Sequence, residues 1–154
     1  MKKWLYRRIL EPLLGLLSQG VSPDRLALCV AIGMVVGNVP ILGISTILCT
    51  AIALTFRLNL PAIQIVQAAM APTQILLIIP FVRIGEWILR VPAQPLSIEN
   101  GLTLLAHGAG HAIAELRDAI LHAGFAWVLI APFAVLLFYH FFTPIFARAA
   151  VRMR

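Results

Sequence analysis

Leu26 to Phe56 reads LALCVAIGMVVGNVPILGISTILCTAIALTF, 31 residues without an Asp, Glu, Lys or Arg, broken near the middle by Gly37-Asn38-Val39-Pro40-Ile41-Leu42-Gly43. A run of this length and polarity belongs in lipid. As one straight helix it would extend roughly 46 Å, well beyond a hydrocarbon core of ~30 Å. The break resolves the excess. Either the chain crosses with an unwound middle, or it dips in and returns as a re-entrant hairpin. Pro40 and Gly43 together suit a turn and favour the hairpin.

A second uncharged stretch, Leu58 to Val82, is interrupted by Ala71-Pro72-Thr73-Gln74 and carries Pro80 further on. In lipid, a Gly/Pro/Asn break frees backbone groups that need partners, so it survives only where protein buries it or a cavity adjoins it. Paired breaks of this kind point to a transporter-like site. The two segments have similar lengths and central breaks, as a degenerate internal repeat would.

Composition agrees. Of 154 residues, 61% are hydrophobic and 12% charged, against roughly 25% charged in soluble domains. Mean hydropathy is +0.96. A single membrane domain, 1–154, is expected. The net charge of +6 does not point to nucleic acid. The basic residues, among them Lys2, Arg25, Arg57, Arg90, Arg148 and Arg152, edge the apolar runs, where headgroups attract cations. Cys29 and Cys49 lie within the first run and act as small hydrophobes. The N-terminus is not read as a signal peptide, because Glu11-Pro12 and Gly15 split its apolar run and no small-residue cleavage site follows.

Outward from the breaks, residues 2–19 predict an interfacial helix with Leu5, Ile9, Leu13 and Leu16 on one side and Arg7, Arg8 and Glu11 on the other. Pro12 is expected to kink or split it. Ser22-Pro23-Asp24 starts the first broken segment, 23–57, with a cap, a first-turn proline and an acid. Pro61 opens the second, 60–90, which should break near Pro72 and again near Pro80. Residues 98–121 predict an amphipathic helix and 124–147 a transmembrane helix. Basic residues after that helix and at the N-terminus put both termini in the cytoplasm.

The densest motif joins Gly33-x3-Gly37, which permits close helix packing, to Asn38, Pro40, Gly43, Ser45 and Thr46. The N–H groups freed at the second half-helix could hold an anion such as a phosphate; the alternative is a kink satisfied by its neighbours. Arg57 and Asn59 form the next boundary. Gln64, Gln67, Thr73 and Gln74 are polar positions that either line a cavity or bond across helices. Arg83 and Glu86 are either functional ionisable groups or an interfacial anchor. His107, His111 and Glu115 have a spacing that offers metal ligands, though a solvated polar face explains them as well. No nucleophile elbow, phosphate loop or HExxH occurs, so neither an enzyme nor a cofactor is expected.

Gly37-x2-Pro40-x2-Gly43-x2-Thr46, Arg57-x-Asn59-x-Pro61, Pro72-Thr73 and Pro80-x4-Gly85 resemble, in this order, the bacterial membrane family catalogued as domain of unknown function 2062. The resemblance covers residues 5–148. Members often have Asn before the proline of the second break, where this chain has Ala71. The resemblance implies membrane placement and no particular chemistry. Relatives that join this domain to a sugar-transferring domain imply a link to envelope glycolipids and a partner enzyme of that kind.

The sequence therefore predicts an all-α, polytopic inner-membrane protein with two broken or re-entrant segments, interfacial amphipathic helices and a C-terminal transmembrane helix. The leading expectation is that it binds or translocates an anionic or polyprenyl-linked lipid as a homo-oligomer. Arg57 and Arg83 are the candidate cations, and the start near Ser45-Thr46 the candidate cradle. The alternatives are a non-transporting anchor for an envelope-synthesis enzyme and, third, a lipid-modifying enzyme.

Overall fold

The computed structural model describes residues 11–18, 20–41, 43–92 and 117–152. Every regular element among them is a helix: α1 (Glu11–Ser18), α2 (Pro23–Val36), α3 (Ile44–Thr55), α4 (Leu60–Ala69), α5 (Ala71–Leu89) and α6 (Arg117–Arg152). The expected amphipathic helix at 98–121 lies almost wholly outside the described residues, as do positions 2–10 of the interfacial helix.

Local chemistry sets most of these boundaries. Ser22 sits in extended backbone and Pro23 opens α2. Asn59 Oδ1 accepts the Ala62 N–H and Pro61 follows, so α4 starts capped. Both α3 and α5 end in a Schellman turn. The Leu58 N–H reaches Ala53 O and the Arg57 N–H reaches Leu54 O; likewise Val91 N–H reaches Glu86 O and Arg90 N–H reaches Trp87 O. The left-handed position of each turn, ordinarily glycine, is an arginine: Arg57 at φ 51° and Arg90 at φ 55°.

Side-chain pairings give the helix directions. A Cβ on Gly33 would stand 2.9 Å from Ile63 O and Val66 Cβ, and one on Gly37 would meet Met70 Cβ and Gln67 Cα. The small face of α2 thus lies on α4, and the two helices run parallel. Gln67 Nε2 donates to Ser45 Oγ, while Gln64 Nε2 donates to Thr50 Oγ1, so α3 runs antiparallel to α4. It follows that α2 and α3 are antiparallel to each other, and the chain turns back between Gly37 and Gly43. Gly43, at φ +87°, supplies the left-handed conformation on which α3 begins.

The second break behaves differently. Met70 keeps right-handed backbone, φ −82° and ψ −7°, and α5 follows α4 after that single residue. Pro72 falls in the first turn of α5, where its missing N–H was unneeded anyway. Pro80 lies inside α5 without ending it. The sequence reading expected a break there; one lost bond is tolerated within a continuous helix whose flanks pack on α6.

The long helix α6 has 36 residues, roughly 54 Å, and contains Pro132 and Pro144. It begins before the expected residue 124 and continues past 147. Its first part packs on α5, where Val82 contacts Ala119 and Ala123 in a small second core. Gly85 abuts the His122 backbone so closely that a Cβ would overlap the His122 carbonyl. Its later part lies along α2, and Trp127, Val135, Tyr139, Phe142 and Phe146 join the main core formed by Leu13, Leu26, Cys29, Val30, Ile63 and Val66.

Only 11% of the most apolar window of α6 is buried, with Phe133 and Leu137 among its exposed residues. Helices α5 and α6 are each long and apolar enough to cross a membrane. An exposed apolar surface of this extent is characteristic of association with a membrane or a partner.

Candidate functional site

The tip of the α2–α3 hairpin is a closed account of backbone groups. The last four carbonyls of α2 would be orphans in a helix ending in lipid. Here each has a partner. Gly33 O accepts from Gly37 N–H, and Met34 O from Asn38 Nδ2 at 2.7 Å. Val35 O accepts from Asn38 N–H and from Trp127 Nε1 at 3.1 Å; Val36 O accepts from Val39 N–H. Three residues past the helix end, Val39 O receives Gln74 Nε2 at 2.7 Å from the start of α5, in a buried bond. The tip is therefore pinned by α5 and α6 together. Pro40 is buried in it. Asn38 Oδ1 is buried without a hydrogen-bond partner.

Below the tip, α3 and α4 are joined by side chains. Ser45 is buried and bonded to Gln67. Thr50 Oγ1 donates to Thr46 O, and Gln64 Nε2 reaches both Thr50 Oγ1 and Thr46 O. Of the two sequence readings for these glutamines, bonding across helices describes Gln64, Gln67 and Gln74. Thr46, Thr50 and Gln64 nevertheless remain exposed or half-exposed, so a short line of amide and hydroxyl groups shows on an otherwise apolar face.

At the open end of the hairpin, the start of α2 meets the turn from α3 to α4. Gly20, Val21, Ser22 and Arg25 from one side, and Arg57, Leu58 and Asn59 from the other, line an open cleft of about 540 Å³. Arg83 is elsewhere. Its Nη1 lies 2.9 Å from Glu86 Oε2, with side chains 40% and 4% exposed respectively. The proposed pair of cations, Arg57 and Arg83, does not share a cleft; Arg57 stands instead with Arg25, which the sequence reading did not single out. An i to i+32 relation carries no periodic signal that would have paired them.

Thr73 is half-buried in the first turn of α5. Gly33 and Gly37 are consumed by packing on α4, so this face is not open to a second copy of the chain. His107, His111 and Glu115 lie outside the described residues. His122, in the second turn of α6, is partly buried, and its Nδ1 has no hydrogen-bond partner.

The family model described as "uncharacterized protein conserved in bacteria", DUF2062, matches residues 6–154. The chain belongs to this family. Comparison with curated proteins and with solved structures finds no match. Membership agrees with the ordered Gly37–Pro40–Gly43–Thr46 and Arg57–Asn59–Pro61 motifs. Within this member of DUF2062, the first motif forms the hairpin tip and the second forms the cleft wall and the cap of α4.

Proposed function

We propose that this DUF2062 protein is a multi-pass protein of the bacterial inner membrane that binds and translocates an anionic or polyprenyl-linked lipid. In this reading α2 and α3, roughly 21 and 18 Å long, form a re-entrant hairpin too short to cross. Helices α4 and α5 together make one crossing and α6 makes the return. Arg25 and Arg57 lie at the hairpin's open end, and α6 runs toward that end, finishing with Arg148 and Arg152. The basic end faces the cytoplasm, and both termini with it.

The observation that carries the lipid reading is the partly exposed polar line of Thr46, Thr50 and Gln64 on the seam between α3 and α4. In hydrocarbon, exposed amides and hydroxyls are costly and mark a path for a polar group. A lipid headgroup moving along this seam, with its chains left in the bilayer, satisfies both. A homo-oligomer would enclose the seam further.

Two measurements test this. Mass spectrometry of the purified protein should identify a retained anionic or polyprenyl lipid. Proteoliposomes should move a fluorescent anionic lipid between leaflets faster than empty vesicles. Protein that carries no such lipid and leaves the leaflets as they are, while copurifying with an envelope-synthesis enzyme, would instead favour an anchoring role.

A further inference from the structure

The cleft at the open end of the hairpin concentrates positive charge. Two guanidiniums, Arg25 and Arg57, line it, and no carboxylate does. Among the described residues, no carboxylate forms an ion pair with Arg25 or Arg57; the pair found there is Arg83 with Glu86. Asp24 is adjacent in sequence but is not part of the lining. Both arginines are exposed on this open cleft, so an anion entering it is attracted by two positive charges at once.

The remaining lining complements the charge. Ser22 holds the N-cap position of α2, yet its side chain makes no capping bond. Asn59 uses its Oδ1 on Ala62 N–H, so the oxygen that would repel an anion is turned to the helix. Arg57 itself occupies a left-handed backbone position that glycine would fill without steric cost. Folding alone does not call for arginine there.

We infer that the Arg25–Arg57 cleft binds a phosphate or diphosphate group. Guanidiniums grip such groups through paired, charge-assisted hydrogen bonds. The inference rests on the lipid reading in one respect: in that reading the phosphate belongs to the lipid headgroup and the cleft is its cytoplasmic docking point, where the α3–α4 seam begins. The chemistry is shared with free phosphate, and the experiment separates the two sources.

The full chain in a neutral detergent is titrated with short-chain phosphatidic acid and, in a second arm, with inorganic phosphate. Binding is read by calorimetry, and thermal unfolding is recorded on every variant. Phosphatidic acid should bind, with affinity falling as salt rises. Arg25→Gln and Arg57→Gly should each weaken binding by about tenfold or more, the usual consequence of losing a charged hydrogen bond. Arg57→Gly should melt no lower than the wild type, which separates lost binding from lost folding. Arg57→Lys should bind with intermediate strength. Saturation by inorganic phosphate at the same arginines assigns the site to free phosphate as well as lipid.

Wild-type affinity in both Arg25→Gln and Arg57→Gly overturns the inference, and so does a wild-type chain that binds neither probe. Lipid held at full strength by the arginine variants would remove the cleft but leave the lipid reading intact. A chain that binds inorganic phosphate through these arginines, yet retains and moves no lipid, would remove the lipid reading but leave the cleft.

Discussion

The two breaks, at 37–43 and at 70–72, look alike in composition and do opposite things. Each joins apolar helices and each contains a proline. The first reverses the chain; the second lets α5 follow α4 after one residue. Gly43 at φ +87° makes the first a turn, whereas Met70 remains right-handed. Pro40 is buried within the turn, while Pro72 sits in a first helical turn where it disturbs nothing. A proline in an apolar run therefore does not say by itself whether the helix continues, restarts or returns; Pro80 lies within a continuous α5. The left-handed glycine makes that distinction.

The largest test of this contrast acts on the close packing beyond each break, of the reversed hairpin on α4 and of α5 on α6. Gly33→Leu places a branched side chain against Ile63 O and Val66, and Gly85→Leu drives one into the His122 backbone. Each should lower stability by about 3 kcal/mol, at the upper end of overpacking costs, seen as a lower melting temperature in detergent. Gly124→Ala, where a Cβ meets nothing within 4 Å, should leave the melt nearly unchanged.

The next test cuts the tie between the breaks. Gln74→Leu strands the buried Val39 carbonyl and should cost about 2 kcal/mol. Gln64→Leu, on the half-exposed seam, should cost less in stability but slow lipid movement, measured in the same proteoliposomes.

A smaller effect addresses the turn itself. Gly43→Ala must adopt a left-handed backbone and should destabilise by about 1–2 kcal/mol. Met70→Gly, at a right-handed position, should cost about 0.5–1 kcal/mol through chain entropy, in addition to the packing its side chain loses beside Gly37. In a background lacking Cys29 and Cys49, cysteines at Ser22 and Leu58, which line one cleft, should be joined by a short crosslinker. Gly43→Ala should reduce that yield, and Met70→Gly should not.

The smallest expected shift compares the two arginine turns. Arg90→Gly relieves the same left-handed conformation as Arg57→Gly and should raise stability by about 0.5–1 kcal/mol. It should leave phosphatidic acid binding unchanged, because Arg90 lies outside the Arg25–Arg57 cleft. Loss of binding in both variants would indicate a general effect of charge.

Much of the helical layout was legible from local residues. Ser22-Pro23 and Asn59-x-Pro61 mark the starts of α2 and α4, and Gly37 to Gly43 marks the turn. Pro80 misled, because proline lowers helix propensity without measuring what the flanking turns gain from packing on α6. The boundary expected between 121 and 124 is also absent: Ala119 and Ala123 pack on Val82 and the helix runs through Gly124 without a break, and it continues past 147 through Arg148 to Arg152.

What the sequence determined by itself is an apolar helical chain, its principal breaks and its basic edges, because capping, hydropathy and proline geometry act over a few residues. The tertiary structure alone decided which polar groups meet. Gln74 finds Val39 and Trp127 finds Val35, while Arg25 and Arg57 come to line one cleft. The two hydrogen bonds span 35 and 92 positions of chain. No local periodicity encodes such distances. They follow from the parallel packing of α2 on α4 and the antiparallel run of α6, where small residues allow backbones close enough for side chains to reach the freed carbonyls.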